Sequence, residues 1–424
     1  MKISTFFTWF WILYLPFCIL FYDKAGFQYI DELMTLGLIL FTFIKKTTGH
    51  HIKKEIYTYG ILMLSYVLYS LVMAINVPAS VFLDLQQQVR PYCIFYCTYL
   101  LAPTFTKKQQ KKILYVYFVA IAFFLFGFRL GTESAAIGQA CFQCGLVYIF
   151  FRGDKKKHLY IGVLIVTLGL LSGKSKFFGE YVMFIGLIFF LKNKFRLDNL
   201  LTYMQVGVLL IAILFFTWYK FNAYYVEGMS EDVSKSERMA RPESYKTAGT
   251  IIFSDYIPLG SGLGTFATNA AAKYYSPLYY KYGLNDIWGL FPDNPMFLAD
   301  AFFPTMAEFG MVGIFFFLWF WIRRYKDINR IKNLLIYKIA LMCMLALFLE
   351  GTADTSYLSG KGMGYFMLLA MALRGSYVTK KRLIIINDND NHNDNGNTNN
   401  DNVNDNDDEN ENDDDDDDVE QRGR

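Results

Sequence analysis

The stretch from Arg241 to Phe266, RPESYKTAGTIIFSDYIPLGSGLGTF, concentrates polar chemistry in a chain otherwise dominated by apolar runs. It offers a guanidinium at Arg241, an aromatic at Tyr245, a carboxylate at Asp255, and glycines at 260, 262 and 264 between Pro258 and Phe266. Proline and closely set glycines allow a tight turn whose backbone N–H groups or neighbouring side chains approach a ligand, although each glycine alone also fits a purely structural turn. Four more cations, Arg90, Arg129, Lys174 and Lys176, flank apolar runs that end on the same side as this loop. Guanidinium gives forked hydrogen bonds and ammonium a mobile point charge, so a convergence of these residues suits a diphosphate. Taken singly, each also fits a cation that snorkels to lipid headgroups or pairs locally, as Lys176 would with Glu180 one turn later.

The elements that must position these groups are apolar. Hydrophobic residues make up 54% and aromatics 18% of the 424 positions, which excludes an ordinary soluble domain. Twelve apolar runs start at Ser4, Tyr29, Tyr57, Tyr92, Ile113, Ala135, Leu159, Phe177, Leu200, Phe297, Leu334 and Tyr357. The expected fold is therefore an all-α polytopic integral membrane protein with about twelve transmembrane helices. Nine lie in residues 1–218 and three in 297–373, separated by one long loop, 219–296, between helices 9 and 10. The first run lacks a small-residue cleavage site and reads as a retained helix.

Loop charge orients the bundle. Lysine and arginine cluster in alternate loops, at 45–54, 107–112, 152–157, 192–196, 323–330 and 374–382, which places these loops and both termini in the cytoplasm. The loop 219–296 then lies on the far face. The tail from Asn387 holds 16 of the 38 acidic residues and 2 of the 41 basic ones, so the remaining body carries an excess of 17 positive charges. Rich in Asn and Asp and poor in apolar residues, that tail has nothing to bury and is expected to be a disordered cytoplasmic extension.

Other motifs exclude more than they assign. The six cysteines all fall within apolar runs, and Cys141 and Cys144 lack a second ligand pair, so no disulfide and no metal is assigned. GSGLG at 260–264 lacks the βαβ setting of a dinucleotide fingerprint, and no cofactor or nucleic-acid partner is called for.

The order Arg241, Tyr245, Ala248, Asp255, Pro258, Gly260, Gly262, Gly264, Phe266 resembles the signature loop of the O-antigen polymerase and O-antigen ligase superfamily. The following FLADAFFPTMAEFGMVGIFFF resembles that family's next element. LLSGKSKFFG is similar to its helix-end segment carrying Ser and a cation, here Ser175 and Lys176, and FRLGTESAAIGQA to its Arg-and-glycine segment, here Arg129. The likeness in topology spans residues 2–374 and the motifs span 129–313. It implies a glycosyltransferase of the bacterial inner membrane whose partner is an undecaprenyl-diphosphate-linked oligosaccharide. A chain-length regulator and a repeat-unit flippase would act beside it.

Two branches stay open. Ligases of the superfamily carry a functional His beside Asn after the loop, where this chain has Ala299 and Asp300. All four histidines fall in segments expected to be cytoplasmic, so the polymerase branch is preferred, with transfer to lipid A core or another acceptor as the alternative. Asp300 and Glu308 are the candidate general bases, since carboxylates in or near a membrane are costly; read as one helix, their spacing puts them on a similar face. A secondary transporter or flippase is a more distant reading, because the long link follows the ninth run rather than the sixth.

Overall fold

The computed structural model describes residues 1–22, 29–45, 50–127, 134–195 and 238–375, with scattered positions between 204 and 223. Most of the ninth apolar run, Arg129 and the tail from Asn387 lie outside the described residues. Among the described residues the regular structure is helical, with a single isolated bridge between Phe291 and Asn294. The helices are α1 (Ile3–Leu13, extended by a wider turn Tyr14–Leu20), α2 (Ile30–Ile44), α3 (His50–Met73), α4 (Pro78–Leu101), α5 (Lys107–Ala122), α6 (Ser134–Arg152), α7 (Lys156–Gly169) and α8 (Ser175–Ile185). After the loop region begins α9 (Ala240–Thr250), followed by the short α10 (Asn269–Lys273) and α11 (Pro277–Lys281), then α12 (Gly310–Asn329), α13 (Leu334–Gly351) and α14 (363–375).

Among the described residues, five stretches are long and apolar enough to cross a membrane: Ile3–Leu20, Lys54–Met73, Lys107–Phe126, Ala135–Arg152 and Leu334–Gly351. This fits a helical membrane protein. Large apolar side chains cover the outside, with Val72 83% and Phe126 90% exposed, while Trp11, Phe95, Phe142 and Phe184 are buried in the bundle. Such an inversion is tolerable where hydrocarbon rather than water is the solvent. Between α6 and α7 small residues let the backbones approach: a Cβ on Gly162 would stand 2.5 Å from Ile149 Cδ1, and one on Gly145 would strike Val166.

Two expected boundaries move, each for a local reason. The fourth apolar run was expected from Tyr92, but α4 starts at Pro78, in the first helical turn where its missing N–H is harmless. Its polar first half is helical and buried because Asp84, Gln88 and Arg90 all find partners inside the protein. Arg90 therefore lies within a helix rather than at a helix end. The tenth run was expected to be helical from Phe297, yet the helix starts only at Gly310, after turns and a tight 3-10 turn over Phe303–Glu308. Gly310 breaks the chain with φ +58°, and a Cβ there would lie 2.5 Å from the Pro258 carbonyl. Asp300 and Glu308 consequently do not share a helix face.

Candidate functional site

The turn that ends α13 gathers three of the charged candidates, Arg241, Asp300 and Lys176. Arg241, in the first turn of α9, directs Nε to Asp300 Oδ2 at 2.9 Å and Nη2 to the same oxygen at 2.5 Å. Its Nη2 also donates to the Ala353 carbonyl at 3.3 Å, and the Tyr245 hydroxyl, one turn further along α9, donates to the Thr352 carbonyl at 3.1 Å. Next in the turn, Asp354 accepts from Lys176 Nζ at 2.5 Å, with Lys361 Nζ 4.0 Å away. Asp300 feels both Asp354 and Lys176, so the two ion pairs form one cluster. Three cations from α8, α9 and the turn before α14 thus face two carboxylates.

These side chains are partly accessible. Arg241 and Asp300 are 16% and 27% exposed, against 4% for Arg90. Asp300 lies in a turn outside the helices, where burial raises its carboxyl above the ordinary range and the Arg241 guanidinium only partly opposes this. For Asp354 burial also pushes upward, but the Lys176 and Lys361 ammonium groups outweigh it and hold the carboxyl well below the usual range. The cluster therefore contains one firmly ionised carboxylate and one that accepts a proton more readily. An entering anion would compete with both carboxylates for the cations.

The glycine loop does different work. Gly260, Gly262 and Gly264 all have left-handed φ, +79°, +89° and +71°, and the residues from Gly260 to Thr268 are buried. The backbone N–H groups expected to approach a ligand are instead consumed by the protein. Leu263 N–H donates to Ser70 Oγ at 2.7 Å, Gly264 N–H to Asp84 at 3.0 Å, and Thr265 and Phe266 N–H to Glu308 Oε1 at 2.7 and 2.9 Å. Glu308, fully buried, thereby anchors the loop, and its carboxyl meets that of Asp84 within hydrogen-bonding reach. Asp300 and Glu308, the two candidate bases, sit in separate surroundings.

The remaining candidates divide likewise. Arg90 is engaged by Asp31, by Glu32 at 2.6 Å and by the Leu358 carbonyl at 3.0 Å, a buried junction of α2, α4 and the segment before α14. Lys176 pairs with Asp354 rather than making its ion pair with Glu180, while Lys174 is exposed at the start of α8. Asp255 is exposed and bonded to the Tyr282 hydroxyl at 2.7 Å and Lys281 at 3.0 Å, and these contacts, Tyr282 foremost, hold it below the ordinary carboxylate range. Pro258 is exposed at the loop's edge, whereas Phe266 is buried and stacked on Tyr279. Residues 176, 241, 245 and 300 lie at the cluster, with 174 two positions before 176 in sequence; 255, 258, 260, 262, 264, 266 and 308 belong to the loop and its supports.

Asp354 and Lys361 were not among the expected site residues. Asp354 stands in EGTADTS, a polar interruption between the last two apolar runs, and that interruption was the available signal; Lys361 falls inside the last run. No protein-family model matches the chain, and no curated protein matches it.

Proposed function

We propose that the protein is a polysaccharide repeat-unit polymerase that transfers glycan from undecaprenyl diphosphate to a lipid-linked repeat unit. In this reading the bundle crosses the bacterial inner membrane about twelve times, with both termini cytoplasmic and residues 219–296 on the outer face. The observation that carries the reading is the convergence of Arg241, Lys176 and Lys361 on Asp300 and Asp354 at the turn ending α13. The motif resemblance supplies the substrate class.

The chemistry follows from the cluster. Binding of the donor diphosphate draws Arg241 and Lys176 away from their carboxylate partners, because a phosphate group offers more charge and more acceptor oxygens than one carboxylate. The acceptor hydroxyl attacks the anomeric carbon, the carbon–oxygen bond to the diphosphate breaks, and undecaprenyl diphosphate departs with the bonding electron pair. The cations stabilise the charge that develops on that leaving group. Asp300, released from Arg241 and already of raised proton affinity, takes the hydroxyl proton.

Gel-resolved glycan ladders test the reaction. Arg241→Ala is expected to leave the protein in the membrane and to cut chain extension about tenfold or more, since a charge-assisted contact contributes roughly 1.5–3 kcal/mol. Single repeat units would accumulate on the lipid carrier. Polymer retained on the carrier but missing from its final acceptor would move the assignment to ligase, and full-length ladders at normal protein abundance would reject the site.

Topology gives an independent check, motivated by the alternation of loop charge. A reporter inserted at the exposed Asp286 should be active outside the cytoplasm, and one fused after Arg382 active inside. The opposite pattern would put the cluster on the side of nucleotide sugars and end the proposal.

A further inference from the structure

Beneath the ion-pair cluster, one turn further along α8 from Lys176, Glu180 is fully buried, and among the described residues neither of its carboxyl oxygens receives a hydrogen bond from an N–H or O–H group. Its carboxyl lies within hydrogen-bonding reach of Glu350, near the end of α13, which is also fully buried. Glu350 Oε1 accepts from Gln139 Nε2 of α6 at 2.7 Å and from the Tyr365 hydroxyl of α14 at 2.8 Å, while Glu350 Oε2 and Gln139 Oε1 have no donor. Two carboxylates are both acceptors, so a bond between them exists only when one carries a proton.

We infer that Glu180 and Glu350 form a proton-holding site within the bundle, a carboxyl pair that binds and releases one proton and so sets the charge beneath the outer cluster. Asp84 and Glu308 also meet, and Glu308 Oε2 also lacks a donor, but that pair is held differently. There, backbone N–H groups and the Thr268 hydroxyl supply the carboxyls with donors, as befits an anchor for a loop. Glu180 has no comparable donor, so the shared proton is what satisfies it.

Charge balance points the same way. The ionisable groups facing the pair are Lys176 on α8, Asp354 after α13, Tyr365 on α14 and Tyr14 after α1. Lys361 and the Arg241–Asp300 pair complete the cluster through Asp354 and Lys176. With one proton on the pair, the carboxylates of Asp300, Asp354 and one glutamate match the charges of Arg241, Lys176 and Lys361. Loss of the proton leaves a net negative charge in a site with little solvent to screen it. The step is plain acid–base chemistry: the carboxyl O–H bond breaks, the electron pair stays on oxygen and the proton passes to a solvent base.

This inference does not depend on the proposed glycosyltransferase activity, and its test needs no substrate. The full-length protein, purified into lipid nanodiscs, is compared with Glu180→Gln by infrared difference spectroscopy. The variant's amide can donate to Glu350 as the shared proton does, so the fold is preserved. The wild-type minus variant spectrum should contain the C=O stretch of a protonated carboxyl, shifted to lower frequency in deuterated water and lost as pH is raised. Dicyclohexylcarbodiimide, which adds to protonated carboxyls in apolar surroundings, should modify Glu180 or Glu350 in the wild type, with at least tenfold less labelling in the variant. A spectrum lacking that band overturns the inference, as does a band removed by sodium ions but indifferent to pH, which would make the site one for a metal cation.

Discussion

Gly264→Ala is expected to prevent accumulation of the folded protein, whereas Gly249→Ala should leave it unchanged or slightly more stable. Gly264 has φ +71°, and a Cβ there would stand 2.7 Å from the backbone carbonyl of Ser80 and collide with the Ser80 hydroxyl. The left-handed conformation costs a residue with a side chain roughly 1–2 kcal/mol, and overpacking a tight contact adds typically 1–3 kcal/mol. The relief route is poor, because Ser80 Oγ and Asn76 Nδ2 already donate to the Gly264 carbonyl at 2.7 and 2.6 Å, and the Gly264 N–H is fixed to Asp84. Any shift also disturbs the neighbouring N–H groups that satisfy Glu308. Set against a typical total stability of about 5–15 kcal/mol, the sum removes much of the margin.

Gly249 is the matched control. It lies in α9 with nothing within 4 Å of an added Cβ, and alanine there raises helix propensity by up to about 1 kcal/mol. Size-exclusion chromatography of detergent-solubilised fluorescent fusions reads both variants at once. A sharp Gly264→Ala peak with wild-type abundance and melting temperature would show that the loop is not packed against α4 as described.

The glycine loop also shows how far sequence carries. Spacing alone identifies 260, 262 and 264 as a tight turn, and the turn is there. What spacing does not reveal is which way the N–H groups face, since that depends on Ser70 of α3, Asp84 of α4 and Glu308, residues distant in the chain. The same limit explains α4. Hydropathy averages over VFLDLQQQVR and reads a polar loop, whereas a buried helix can carry Asp, Gln and Arg once Asp31, Glu32 and the glycine loop meet them. In the segment 297–309 the error runs the other way: apolar residues suggest a helix, and Pro304 with Gly310 prevents one.

Two of the three cations in the cluster, and the carboxylate Asp300, were likewise legible. Arg241 and Lys176 stood out as isolated charges on a cation-poor face, but their carboxylate partners Asp300 and Asp354 come from two different turns, and no periodicity links 176 to 354 or 241 to 300. Lys361 was hidden because it sits at the start of an apolar run. Glu180 was read only as a local partner for Lys176 and Glu350 was not singled out; the packing of α8 against α13 makes them a pair.

Asp354→Ala should be more damaging to the protein than Lys176→Gln, although the lysine is the residue assigned to the substrate. Removing the carboxylate leaves the ammonium groups of Lys176 and Lys361, on side chains 11% and 14% exposed, without their shared counter-ion. Breaking a buried pair in this way costs about 3–5 kcal/mol, because the surviving charge is poorly hydrated and loses its hydrogen-bonded counter-ion. Lys176→Gln removes the competing charge instead and leaves Asp354 with Lys361, so its structural penalty is smaller. Combining Lys176→Gln with Asp354→Asn replaces the pair by two neutral amides able to bond each other, and should restore much of the abundance lost in Asp354→Ala. Chain extension should not recover with it, because the double variant still lacks a cation that the diphosphate requires. Membrane abundance and ladder length, measured on the same cells for all three variants, separate the two roles of Lys176. A double variant that regains both abundance and full-length polymer would show that the lysine only balances Asp354, and the diphosphate site would have to be built from Arg241 and Lys361 alone.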